Sequence, residues 1–126
     1  MSLHYFIDSK RRMVVVTAEG DIARADVDAY LEAVVGAGAL GYRKLFDWRA
    51  GVPAMDFPEL MSVVAAARSY HDRPHGALAI VLSEEQRRSV ELARVLGVLL
   101  SAQRPMRVFS SVLTATRWLE THPSYD

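Results

Sequence analysis

The sequence predicts an α/β fold built on a mixed five-stranded sheet, with elements in the order β-β-α-β-α-β-α-β-α. Three observations carry this. The last third alternates apolar runs with amphipathic stretches: Ala77 to Leu82, a long helical pattern, Met106 to Phe109, then a short helix with Trp118 and Leu119. Near the start, Tyr5 to Ile7 and Met13 to Thr17 are parted only by the polar turn Ser9-Lys10-Arg11-Arg12, which makes them an antiparallel hairpin. Each later apolar run follows a helix-length segment. Right-handed crossovers then make strands two to five parallel and leave the first strand antiparallel at an edge.

The elements follow in order. Val14-Val15-Val16 reads as a strand covered on both faces. Gly20 and Asp21 are expected to break it. A first helix begins near Arg24, with Val27, Tyr30, Leu31, Val34 and Val35 recurring as one apolar stripe, and Gly36 to Gly41 closing it. Arg43 to Trp48 is the third strand. Asp56 and Glu59 form a capping box for a second helix, whose buried face holds Phe57, Leu60, Met61, Val64 and Ala67. Pro74 and Gly76 stop that helix. The run Ala77 to Leu82 is the most apolar strand and is expected at the centre of the sheet. Ser83 and Gln86 box the start of a third helix that runs to about Gln103. Ser110 or Ser111 caps the last helix, where Val112, Ala115, Trp118 and Leu119 face inward.

The 126 residues are half apolar, enough for one domain with its own core over 1–126. Formal net charge is zero, so no global field draws the chain to nucleic acid or an anionic membrane. Arginines at 87, 88, 94, 104, 107 and 117 oppose only Glu91, whereas the first helix carries Asp26, Asp28 and Glu32. The plain reading of both groups is solvated surface. Cysteine is absent, which removes disulfides, thiolate nucleophiles and cysteine metal sites. No apolar run is long enough to span a bilayer, and a signal-peptide core is missing, so a cytoplasmic bacterial protein is expected.

With the elements placed, the chain resembles the STAS fold of anti-sigma-factor antagonists, and more narrowly the SpoIIAA-like, STAS-like or CRAL-TRIO-like bacterial proteins. The residues carrying the likeness are Gly20, Ile22 and Asp26 opening the first helix, Lys44-Leu45-Phe46-Asp47-Trp48-Arg49 on the third strand, and Ala79-Ile80-Val81 on the fourth. The closing stretch Arg107-Val108-Phe109 with Ala115 and Trp118-Leu119 matches best. These are packing motifs and speak to fold more than to function. The resemblance implies a non-enzymatic switch that binds partner proteins, with nucleotides or lipids bound by some relatives. The antagonists are phosphorylated on a hydroxyl residue just after the third strand. Here Asp47 to Pro53 contains none, so no phosphorylation site is carried over. Ala23 stands where a capping Thr is usual, which weakens the cap by about 1 kcal/mol unless Asp21 substitutes.

Several patterns invite chemistry. Gly36-Ala37-Gly38-Ala39-Leu40-Gly41 spells G-x-G-x-x-G, but it closes a helix instead of opening one, so no helix amides meet a pyrophosphate. His71, Asp72 and His75 have metal-like spacing, but Pro74 interrupts the helix and no third strong ligand is near in sequence. They read as surface residues, and no metal or cofactor is implied. Lys10-Arg11-Arg12 lacks the interleaved aromatics of a nucleic-acid site. Asp47, Trp48 and Arg49 leave the third strand at its C-terminal end, where open α/β sheets place ligands, with Asp21 and Ser83 along the same rim. These five are the candidate ligand-binding residues. No catalytic residues are assigned, because the set has no nucleophile with a base. Val95, Val98, Leu99 and Leu100 cannot all face one sheet at about 100° per residue and form the candidate interaction surface. The reading is a non-enzymatic interaction or regulatory module, paired as a homodimer or with another protein. A lipid or other apolar small-molecule binder is the alternative, and a hydrolytic or metal-dependent enzyme comes third. No nucleic acid and no membrane span are expected.

Overall fold

The computed structural model describes residues 2–53, 56, 58, 59, 61, 62, 65, 75–90, 93 and 104–125. Five strands form one sheet in the order β1-β2-β3-β4-β5. They are β1 (Leu3–Asp8), β2 (Met13–Ile22), β3 (Arg43–Pro53), β4 (Leu78–Val81) and β5 (Met106–Phe109). The first pair is antiparallel and the other three are parallel, as the hairpin turn and the crossovers require. Among the described residues three helices have defined bounds: α1 (Arg24–Gly36), α2 (Glu84–Arg87) and α3 (Val112–Glu120). Pro58, Glu59, Met61, Ser62 and Ala65 are helical where the sequence sets its second helix. The Asp56–Glu59 box is reciprocal there, with each backbone N–H donating to the other's carboxylate.

Strand alternation divides the core. One face carries α1 over Val14, Val16 and Ala18, joined by Ile22, Tyr30 and Val34. Leu78, Ile80 and Leu82 continue that face under Phe46 and Trp48. The opposite face carries α3, whose Ala115 and Leu119 pack on Met13, Leu45, Ala79 and Val81. Arg43 ties this side together, donating to the carbonyls of Arg11, Leu119 and His122.

Four expectations need correction. β2 does not break at Gly20 but runs to Ile22. Gly20 takes φ +66° inside the strand, a conformation open to glycine, so the chain bends without leaving the sheet. β3 continues five residues past Trp48, to Pro53, still paired with β2. β4 is not the middle strand. It lies between β3 and β5, and its apolarity reflects cover on both faces. The third helix is not continuous either. α2 ends at Arg87, the amides of Arg88 and Ser89 donate to carbonyls three residues back, and helix resumes at Val90.

The caps agree better. Ser83 accepts from the Gln86 amide while Gln86 accepts from the Ser83 amide. Ser111 is the cap of α3, accepting from the Thr114 amide. At Ala23 no side chain, Asp21's included, caps the first turn; the Asp26 carboxylate accepts the amide of Ala23 itself at 2.9 Å. The G-x-G-x-x-G stretch is a helix stop. Ala39 N–H donates to Val34 and Gly38 N–H to Val35, with Gly38 at φ +68°, which is a Schellman ending.

Candidate functional site

Thr17, Asp47, Val81 and Phe109 lie in register where β4 and β5 end, and this edge is the rim that the sequence singles out. Between Thr17–Asp47 and Glu19–Ala50 the register advances two residues on β2 and three on β3. The bulge therefore belongs to β3, at Trp48 and Arg49. Bulges re-aim side chains, and this one splits the predicted set.

Asp47 and Arg49, two apart, share the α3 face and pair with each other. Arg49 Nε and Nη2 donate to the two carboxylate oxygens at 2.9 and 2.8 Å, and the Arg49 amide adds a third bond. The Arg49 guanidinium holds the Asp47 carboxyl below the usual carboxylate range, so Asp47 stays ionised and is a poor proton donor. Trp48 points to the opposite face, among Phe46, Ile80 and Leu82. Its indole lies where a Cβ on Gly51 would be, 2.6 Å away. Gln86, held by the Ser83 box, donates to the carbonyls of Trp48 and Gly51 and so pins α2 to the bulge. Ser83 is thus engaged as a cap. Asp21 is exposed, paired in register with Val52. The five residues share one end of the sheet but do not converge on one point.

The predicted interaction surface, Val95, Val98, Leu99 and Leu100, lies outside the described residues. So do His71 and Asp72. Among the described residues no three His, Cys, Asp or Glu side chains could hold a metal ion together.

Two features escaped the sequence reading. Beneath α1 lies a cavity of about 70 Å³, walled by Leu3, Val16, Ile22, Val27, Phe46 and Trp48 and closed on one side by Tyr30. The Tyr30 ring stands edge-on between Tyr5 and Phe46, at centroid distances of 5.5 and 5.7 Å. Its hydroxyl is buried with no hydrogen-bond partner among the described residues, as is the Trp48 indole nitrogen. Burial pushes the Tyr30 phenol upward, partly opposed by Arg104.

The second feature is Lys44. Only 5% of it is exposed, and its ammonium donates to the carbonyls of Leu40 and Tyr42 at 2.6 and 2.9 Å. Desolvation, then repulsion from Arg104, lowers its pKa to about 7. The sequence held a signal for this: strand alternation sets Lys44 on the face of Phe46, two residues on. Tyr30 was legible only as one member of the α1 stripe.

With the geometry in place, the likeness to known proteins can be stated. No protein-family profile matches the chain, and no curated protein matches it. Solved structures do. One is an uncharacterized DUF3478-family protein with a SpoIIAA-like fold from Shewanella loihica PV-4, at TM-score 0.68 and 14% identity, covering 94% of both chains. Another is an anti-sigma factor antagonist from Mycobacterium paratuberculosis, at TM-score 0.58 and 13% identity, covering 94% of this chain and 95% of that one. The fold of this protein is therefore SpoIIAA-like, the architecture shared with anti-sigma factor antagonists. Among the described residues no helix is long and apolar enough to cross a membrane.

Proposed function

We propose that residues 1–126 form one domain that acts as a non-enzymatic protein-interaction or regulatory module and associates with itself. The observation that carries this reading is how the rim is used. Asp47 and Arg49 neutralise each other, and Ser83 and Gln86 clamp α2 to the bulge of β3. These side chains hold the sheet end in shape, which suits a docking scaffold better than a reacting centre. The likeness in fold to an anti-sigma factor antagonist supports a regulatory role.

A second reading is binding of a small apolar molecule. The cavity under α1 favours it, because its lining is apolar and includes the Tyr30 and Trp48 rings. At about 70 Å³ the cavity suits a compact ligand, and a lipid chain needs α1 to move.

Native mass spectrometry of the purified protein tests both. The expected species has twice the 14.0 kDa chain mass and carries no adduct. A monomer at every concentration overturns self-association. A copurifying apolar adduct that is lost on Val27→Trp replaces the first reading with the second. Turnover of a substrate that Asp47→Ala abolishes overturns the non-enzymatic assignment.

A further inference from the structure

β1 is an edge strand of the sheet. The Glu19 amide donates to the Ser2 carbonyl, and the β1–β2 register continues through Leu3–Ala18 to Asp8–Met13. Antiparallel ladders alternate, so Ser2, His4, Phe6 and Asp8 exchange backbone bonds with β2. Leu3, Tyr5 and Ile7 then turn both their N–H and their C=O groups to the outer edge. Among the described residues no strand lies beyond β1 in the sheet. Protected edges use proline, lysine, a bulge or a covering element. The strand Leu-His-Tyr-Phe-Ile-Asp has no proline or lysine, and its register with β2 is unbroken.

The side chains specify the occupant. Phe6 is 63% exposed in the middle of this edge strand. Set about a two-fold axis through Phe6, two antiparallel β1 strands place Phe6 opposite Phe6 and His4 opposite Asp8. Like charges never face each other, and the one strongly exposed apolar residue of the strand is covered by its own equivalent. Tyr5 of each copy lies opposite Ile7 of the other, so the outward donors and acceptors of both residues are paired. Aromatic cross-strand pairs stabilise antiparallel sheets, and a histidine facing a carboxylate avoids like-charge repulsion. A symmetric contact of this kind closes after two copies, because the two-fold axis uses the β1 edge of both chains at once.

We infer that β1 is the self-association surface, and that two copies join their five-stranded sheets edge to edge through antiparallel β1 strands with Phe6 on the two-fold axis. This rests on the self-association part of the proposed function and names the surface responsible.

The absence of native cysteine makes the geometry directly testable. Residues opposite each other in a pair without mutual backbone bonds have Cα atoms about 4.5 Å apart, inside the range a disulfide accepts. Phe6→Cys is expected to form an intermolecular disulfide under mild oxidation, at least tenfold faster than Leu113→Cys, an exposed position on α3 far from the edge. Sedimentation of the unmodified protein is run alongside, with amide exchange at Leu3, Tyr5 and Ile7 followed against concentration. The expected result is a dimer whose outward amides slow as concentration rises, and Phe6→Lys shifts it to monomer with its circular dichroism intact. A dimer that survives Phe6→Lys, with those amides fast throughout, overturns the edge while leaving self-association standing. A monomer in every condition overturns both. Equal cross-linking at Phe6→Cys and Leu113→Cys overturns the register.

Discussion

β4 and β1 are strands of the same sheet, and they answer to different demands. Every residue of β4 is buried, with Leu78 and Ile80 on the α1 face and Ala79 and Val81 under α3. Only Leu3 of β1 is buried, while His4 and Phe6 stand in solvent. A change in β4 is therefore felt as lost packing. A change on the open side of β1 is felt in what the strand meets, with little effect on the folded chain.

The largest effect should come from the covered strand. Ile80→Ala removes a side chain that is 1% exposed and leaves a void that neighbours fill only in part. It is expected to cost about 2–5 kcal/mol in urea denaturation. A loss below about 1 kcal/mol would mean that β4 is less tightly packed than its burial implies.

Lys44 sharpens the contrast, because its Cα is paired with Leu78 and it feels the same enclosure. Its folded pKa of about 7 lies below the ordinary 10.5. Between those values the unfolded chain holds a proton that the folded chain has released, so stability rises with pH across that window. Below pH 7 both states are protonated and the full penalty stands. Tyr30, shifted upward, acts with the opposite sign above about pH 10. Stability is thus expected to climb by a few kcal/mol from pH 7 to pH 9.5. Lys44→Met should flatten that slope and raise stability at pH 7. A wild-type profile that is flat over this interval would show that the ammonium is not desolvated.

The smallest effect belongs to β1. Phe6→Ser should change the stability of the dilute chain by no more than about 0.5 kcal/mol, since its side chain is already in water. A loss of 2 kcal/mol at low concentration would erase the contrast between the strands.

Much of this was readable from residues alone. The hairpin followed from a short polar turn between two apolar runs, and the parallel order from the spacing of the later runs. The caps at Ser83, Ser111 and Asp56 follow from side-chain chemistry within three residues, so they were legible. The far ends of β2 and β3 were not. A glycine marks a break or a bend equally well, and only pairing between residues some thirty apart in sequence decides which. The division of the candidate rim between two faces was hidden for a related reason. Asp47, Trp48 and Arg49 look like one group in sequence, but pleating sends the tryptophan through the sheet. Lys44 was hidden because a lysine in a strand reads as surface until its neighbours on the same face are known.

The placement of α3 has a consequence for how the protein is made. Among the described residues, Met13, Leu45, Ala79 and Val81 are covered by Ala115 and Leu119 of α3, with Val112 and Trp118 beside them. A growing polypeptide leaving the ribosome thus presents a greasy sheet surface until α3, the last of the described helices, has been made. That interval, more than the finished molecule, is when the chain is most exposed to clumping and most in need of a chaperone.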